Sequence, residues 1–111
     1  MLALRASDPS RWELVRGIQR RYFKAMPPVD VKVLLEHIDY VAKLVGPDHV
    51  GLGSDFDGIS GMAPRGMEDV SKYPVLVKGL VESGYADADI RKIMGLNLVR
   101  VLRANEQGAK P

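Results

Sequence analysis

Apolar residues recur at helical spacing in two segments of the N-terminal half. Ser7-Asp8-Pro9 is a helix-start signal, and Pro27-Pro28 ends the predicted first helix because proline lacks a backbone N–H and restricts the residue before it. Asp30 is the expected N-cap of a second helix, which ends before Gly46-Pro47. The apolar positions are Trp12, Leu14, Val15, Ile18, Tyr22 and Phe23 in the first helix, and Leu34, Ile38, Val41 and Val45 in the second.

The middle of the chain changes from a helical pattern to a strand-like one. The stretch from His49 to Ser54 predicts a short buried strand, with Val50 and Leu52 as its apolar side chains. Residues 55–71 show no periodicity and predict a long loop, a kind of segment that is often a lid or a binding loop. Three glycines are expected to allow positive φ and close backbone approach here, namely Gly51, Gly53 and Gly58.

Three short helices are predicted to follow the loop. Pro74 suits the first turn of one helix, and Gly84 suits the position just after it. Asp87 is the expected cap of the next helix, which ends at Gly95, and Asn97 is the expected cap of the last. The side chains expected to face inward are Leu76, Val77, Leu80 and Val81, then Ile90 and Ile93, and finally Leu98, Val101 and Leu102.

This order of elements contains one strand, and a lone strand has no partner for its backbone hydrogen bonds. A nearly continuous apolar strand between helices is normally interior to a parallel sheet. We therefore interpret the chain as an α/β segment, mostly helical by itself, that is part of a larger fold.

Composition narrows the class of protein. The chain has 111 residues, enough for one compact domain, and its 46% hydrophobic and 27% charged residues are those of an ordinary globular protein. A net charge of +2 gives no concentrated excess for a nucleic acid, and we expect no nucleic-acid partner. The absence of cysteine removes disulfides and cysteine-based zinc sites. Because no membrane segment or signal peptide is readable, the chain as given is expected in the cytoplasm.

The residues best suited to chemistry follow the predicted strand. Asp55-Phe56-Asp57-Gly58 places two carboxylates at the carboxyl end of a strand, where α/β enzymes tend to place catalytic groups. Asp55 is the candidate acid or base, and the alternative is an aspartate that caps the loop by binding neighbouring amides. Asp57 is expected to fix the loop by accepting backbone N–H bonds. His37 and His49 have no recognisable zinc spacing, so we assign no metal ligand.

Several segments, taken in order, resemble one protein family. They are His37-Ile38-Asp39-Tyr40-Val41, then residues 46–58, 66–74 and 90–102. In this order they closely resemble the C-terminal part of the renal (membrane) dipeptidase family of zinc metallopeptidases. The resemblance covers residues 32–106, whereas residues 1–31 match weakly and are interpreted as an N-terminal helical segment. Residues 107–111 are interpreted as a tail.

The resemblance implies a fold and a reaction. The fold is a (β/α)₈ barrel of the TIM type, of which this chain is the C-terminal helix–strand–helix portion, and the reaction is the cleavage of dipeptides at a two-zinc site. Matched by position, Asp55 falls on the aspartate that moves a proton during turnover, and Gly53, Asp57 and Gly58 support its loop. The family's zinc ligands lie in earlier segments that have no counterpart here. The resemblance thus implies two zinc ions and a dipeptide substrate for the intact enzyme, with no metal ligand in this chain.

We therefore expect the chain alone to be catalytically silent. Its exposed strand would need to be covered by a missing N-terminal portion or by self-association. Two alternatives stay open from the sequence. One is a non-catalytic helical interaction module, and the other is one half of a split enzyme whose second polypeptide supplies the missing strands.

Overall fold

The computed structural model describes residues 9–59 and 61–109, apart from the side chain of residue 23, and within these residues the chain is mostly helical. Two short 3₁₀ turns cover Pro47–His49 and Val70–Lys72, and a π-helical turn at Lys92–Leu96 joins the last two helices. The α-helices are α1 (Pro9–Ala25), α2 (Val31–Val45), α3 (Tyr73–Glu82), α4 (Asp87–Arg91) and α5 (Asn97–Gly108).

The boundaries predicted for α2 and α3 are largely confirmed, whereas Asp87 is the first residue of α4 and not its cap, and α4 ends at Arg91 instead of Gly95. The Asp30 side chain accepts a hydrogen bond from the Lys32 backbone N–H at 3.0 Å and so caps α2. Gly84 has a φ of +83° just after α3, the left-handed conformation that glycine adopts without cost. Helix α5 runs to Gly108, two residues into the predicted tail. Ser7 and Asp8 lie outside the described residues.

The hydrophobic core lies between α2, α3 and the turn that joins α4 to α5. Leu76, Leu80 and Ile93 are fully buried at its centre. Burying a side chain of this size contributes about 1.5–3 kcal/mol. Other buried members come from four segments of the chain, so the core closes over residues far apart in sequence: Ile38, Ala42, Val50, Met67 and Ile90.

Several side chains predicted to face inward are instead exposed. In α2 the buried residues are Ile38 and Ala42, while Val41 and Val45 lie at the edge. In α3 the buried line is Leu76, Gly79 and Leu80, because this face meets Leu35 of α2. The other exposed residues among those predicted to face inward are Val77 and Val81 of α3, and Leu98, Val101 and Leu102 of α5.

The prediction of a β-strand from His49 to Ser54 is wrong for the described residues. His49 ends a 3₁₀ turn, and Val50 then adopts an extended conformation with φ −105° and ψ +135°. Among the described residues, the backbone groups of residues 51–54 have no backbone hydrogen-bond partner. Val50 is extended, but a strand exists only when a neighbouring strand completes its ladder.

Helix α1 stands apart from this core. Trp12 is 59% exposed and Tyr22 is 65% exposed, although both belong to its predicted apolar stripe. The radius of gyration is 18.9 Å, against about 13 Å for a compact domain of this length. The described residues therefore form a small core with one projecting helix. None of the described helices is both long enough and apolar enough to cross a membrane.

Candidate active site

Residues 47–56, here called the Asp55 segment, are anchored at their N-terminal end by Asn97, which lies at the start of α5. The Asn97 side-chain amide donates two hydrogen bonds, to the Pro47 carbonyl at 2.7 Å and to the Val50 carbonyl at 2.8 Å. Asn97 is 6% exposed, so these bonds satisfy a buried polar group. The sequence predicts Asn97 as a helix cap, whereas its side chain binds a segment almost fifty residues away. The signal in the sequence that could have indicated a buried polar side chain is that Asn97 lies among the apolar residues Leu96, Leu98 and Val99.

Tyr73 anchors the same segment further along. Its hydroxyl donates to the Ser54 Oγ at 3.3 Å, and its ring meets Phe56 edge-on with centroids 6.3 Å apart. Tyr73 is half-buried and packs against the core at the start of α3. The residues on either side of Asp55 are therefore held to the body of the protein.

Asp55 lies between these anchors in an unusual backbone conformation. Its φ is +47°, and it is the only non-glycine residue with positive φ among the described residues. Aspartate tolerates this left-handed region better than most residues with a Cβ. The Asp55 carbonyl accepts hydrogen bonds from the backbone N–H of Gly58 at 2.8 Å and of Ile59 at 3.2 Å, so residues 55–59 form a tight turn.

The glycines around this turn do not adopt the positive φ predicted for them. Gly51, Gly53 and Gly58 all lie outside the left-handed region. A Cβ on Gly51 would lie 3.2 Å from Leu98, so the predicted close approach holds there. Among the described residues, nothing lies within 4 Å of a Cβ placed on Gly53. The strain falls on Asp55 itself.

Asp57 is exposed at the tip of the turn. Among the described residues, its carboxylate accepts no hydrogen bond. Its loop-fixing role stays a prediction. Among the described residues, the carbonyl of Asp55 makes the turn's hydrogen bonds.

Residues 65–68, in the loop after the turn, are held by hydrogen bonds to the start of α2 and to one another. The Val31 N–H donates to the Arg65 carbonyl at 2.9 Å, and the Arg65 N–H donates to the Val29 carbonyl at 2.8 Å. The Glu68 carboxylate accepts from the Gly66 N–H at 2.7 Å, and this bond lowers the pKa of Glu68. These bonds fix residues 65–68 beside the start of α2.

A network of ion pairs and hydrogen bonds holds Asp48, at the N-terminal end of the Asp55 segment. The Lys92 ammonium lies 2.7 Å from the Asp48 carboxylate and 3.1 Å from that of Asp89. The hydrogen bond from Lys92 lowers the pKa of Asp48, and the bonds to Asp48 and then Asp89 raise the pKa of Lys92. Arg100 adds a hydrogen bond to the Asp48 carbonyl at 2.6 Å.

A second polar cluster lies between α2 and the end of α3. The Tyr85 hydroxyl donates to Asp39 at 3.0 Å, and Lys43 also contacts Asp39, at 2.6 Å. The Lys43 bond and then the Tyr85 bond lower the pKa of Asp39, while burial and the Asp39 contact raise the pKa of Tyr85. The open groove beside this cluster, of about 590 Å³, is lined by α2 and α3 and not by the Asp55 turn.

The described residues do not by themselves fit a zinc site. The His37 Nδ1 lies 2.7 Å from the Val33 carbonyl, where the ring N–H donates, and His37 lies on α2, a different element from Asp55. His49 is exposed at the end of a 3₁₀ turn. Nowhere in residues 9–59 and 61–109 do three histidine, aspartate or glutamate side chains come together in a way that could hold a metal ion.

Comparison with known proteins gives a consistent family. A model of the family described as membrane dipeptidase (peptidase family M19) matches residues 17–111. The chain is 44% identical over 79 residues to dipeptidase tcpJ of Claviceps purpurea, 46% over 76 residues to dipeptidase ataJ of Aspergillus terreus, and 49% over 75 residues to dipeptidase aclJ of Aspergillus oryzae. These alignments cover 68–71% of this chain but 18% of each relative.

Proposed function

Because the chain belongs to the membrane dipeptidase family, we propose that it is the acid-bearing C-terminal part of a dipeptidase, a hydrolase that cleaves the amide bond of a dipeptide. The observation that carries the proposal is the family match over residues 17–111, together with three relatives that are named dipeptidases. This match also counts against a non-catalytic helical module, because the family covers most of the chain.

Asp55 is proposed as the group that moves the proton during hydrolysis. A carboxylate can take the proton of the attacking water and deliver it to the departing amine, which leaves as a neutral group. Two features of the structure support this role. Asp55 is exposed on a turn whose neighbours are anchored by Tyr73, and it holds a backbone conformation that is costly and is often found at functional sites.

Zinc dependence is proposed for the intact enzyme only. When bound, a pair of zinc ions polarises the scissile carbonyl and activates a water molecule. The described residues do not fit such a pair, so the proposal places the metal ligands elsewhere and assigns this chain the proton transfer alone. The chain spans about a fifth of the length of the relatives it matches.

An incomplete barrel accounts for the unpaired features of the molecule. The backbone of residues 51–54 has no backbone partner among the described residues, and the apolar side chains of α5 are exposed beside it. In a (β/α)₈ barrel, neighbouring strands would pair with this segment and helices would cover the apolar side chains. We therefore propose that catalysis requires further polypeptide, supplied by the same chain or by a second one.

A hybrid enzyme tests the proposal. The aligned 75-residue segment of the Aspergillus oryzae dipeptidase would be replaced by the corresponding residues of this protein, and dipeptide hydrolysis measured with and without Asp55→Asn. We expect the hybrid to hydrolyse dipeptides and Asp55→Asn to lower kcat by about 10²–10⁴-fold. Asp57→Asn is the matched control and is expected to have a smaller effect. A folded hybrid whose activity survives Asp55→Asn would contradict the role of Asp55.

A further inference from the structure

The backbone at Gly58 gives no reason for a glycine. Glycine is usually required in turns because it adopts positive φ without cost. Gly58 lies outside that region, and the positive φ of this turn belongs to Asp55, three residues earlier. Some other property of glycine must therefore matter at this position.

The space around Gly58 supplies the reason. A Cβ placed on Gly58 would lie 2.5 Å from Oδ1, 2.6 Å from Oδ2 and 2.7 Å from Cγ of Asp55, all below the 3.0 Å that real Cβ contacts respect. The Asp55 carboxylate thus occupies the position that any larger residue at 58 would need. All three contacts are to the end of one side chain and none is to the backbone.

We propose that Gly58 is a positioning residue, whose missing Cβ keeps the Asp55 carboxylate folded over the turn of residues 55–58. The proposal rests on the proposed function, in which Asp55 transfers the proton. An alanine at 58 would make the Asp55 side chain rotate away, because the side chain can move more easily than the backbone. The turn's own hydrogen bonds, from Gly58 and Ile59 to the Asp55 carbonyl, do not depend on the size of residue 58.

If this proposal is right, a substitution at residue 58 can move the Asp55 carboxylate without changing the stability of the fold. Gly58→Ala is expected to displace the carboxylate while leaving the core and the anchors at Asn97 and Tyr73 intact. Gly53→Ala is the matched control in the same segment. A Cβ there meets nothing within 4 Å among the described residues, and Gly53 lies outside the left-handed region.

The test uses NMR spectroscopy and thermal unfolding of the full 111-residue chain. We expect the three-bond couplings of the Asp55 Cγ to the backbone N and carbonyl carbon, which report the χ1 angle, to show one rotamer that is the same in the wild type and in Gly53→Ala. In Gly58→Ala these couplings should show a different χ1 rotamer while the melting temperature stays that of the wild type. Rotamer-averaged couplings in the wild type, or couplings unchanged in Gly58→Ala, would overturn the proposal.

A second variant decides the case in which Gly58→Ala fails to fold. Removal of the carboxylate in the double variant Asp55→Gly/Gly58→Ala should then restore folding, because the clash is with the carboxylate and glycine adopts the φ of +47° at residue 55 without cost. A double variant that also fails to fold would overturn the proposal, since the conflict would lie with the backbone. Failure of the proposed function would give a different result, namely an inactive hybrid enzyme while the Asp55 couplings of this chain still change in Gly58→Ala. In an active hybrid, Gly58→Ala should lower kcat by about 100-fold and leave KM unchanged.

Discussion

Two surfaces of this molecule have similar apolar composition but opposite environments. The packed surface consists of Ile38, Leu76, Leu80 and Ile93, which α2, α3 and the α4–α5 turn bury against one another. The open surface consists of the exposed side chains of Leu98, Val101 and Leu102 on α5 and of the neighbouring backbone of residues 51–54, where Gly51 and Gly53 are exposed. The packed surface provides the rigid support for the Asp55 segment. The open surface is where we propose that the rest of the dipeptidase packs.

The largest expected contrast comes from one leucine on each surface. Leu80 is 1% exposed, so Leu80→Ala should lower the free energy of unfolding by about 2–5 kcal/mol through lost burial and the cavity left behind. Leu102 is 60% exposed, and Leu102→Ala should leave stability nearly unchanged. Urea unfolding of the two variants measures both values. Similar losses for the two would mean that the open surface is already covered in solution.

Two asparagines on α5 provide the next contrast. Asn97→Ala leaves the carbonyls of Pro47 and Val50 without their buried donor, which should cost about 1–3 kcal/mol of unfolding free energy. Asn105 is exposed and donates only to the Val101 carbonyl of its own helix. Asn105→Ala should therefore be close to neutral. Chemical denaturation measures both changes, and an equal loss in the two variants would remove Asn97 from its anchoring role.

Replacing each of two glycines with alanine should change the stability of the protein in opposite directions. Gly66 has a φ of +88°, and a Cβ there would lie 3.1 Å from Val31, so Gly66→Ala should destabilise the protein by about 1–2 kcal/mol. Gly17 lies inside the exposed helix α1 with nothing within 4 Å among the described residues. Gly17→Ala should stabilise that helix by about 0.5–1 kcal/mol. Circular dichroism during thermal unfolding distinguishes a gain in stability from a loss. A stabilising Gly66→Ala would contradict the positive φ of Gly66.

The smallest expected effect is the pH dependence of the Lys92 network. Because the folded-state pKa of Asp48 is lowered, its contribution is present above the unfolded pKa of about 3.9 and is lost as the pH falls through the folded value. The raised pKa of Lys92 gives the opposite sign, with a contribution present below about pH 10.4 and lost as the pH rises through the folded value. Thermal midpoints of the wild type and Lys92→Met should converge at low pH. Lys24→Met on α1 is the control, and a pH-independent difference for Lys92→Met would contradict the linkage.

What the sequence predicts well here is local. Asp30, Gly84 and the prolines act within one turn of their own position, and the boundaries of α2 and α3 follow from them. The strand at His49–Ser54 is not formed because pairing needs a partner strand, which no local signal can supply. The anchoring role of Asn97 is not predicted for the same reason, because its two acceptors lie 47 and 50 residues earlier.

The candidate site also has some features that the sequence predicts and others that only the structure shows. Asp55 is singled out by its place after an apolar segment and by its family resemblance. Its positive φ and the room that Gly58 leaves for its carboxylate depend on the three-dimensional turn. Residue types and spacing therefore predict which acid to examine, while the structure is needed to see how it is held.

We propose that this chain contributes the proton-transferring acid but not a complete active site. The most direct measurement compares dipeptide hydrolysis and bound zinc in the purified, folded 111-residue chain with those in the hybrid enzyme under the same conditions. We predict no turnover and no stoichiometric zinc in the chain alone, with Asp55-dependent turnover in the hybrid. Turnover by the chain alone that Asp55→Asn abolishes, together with stoichiometric zinc, would contradict the account.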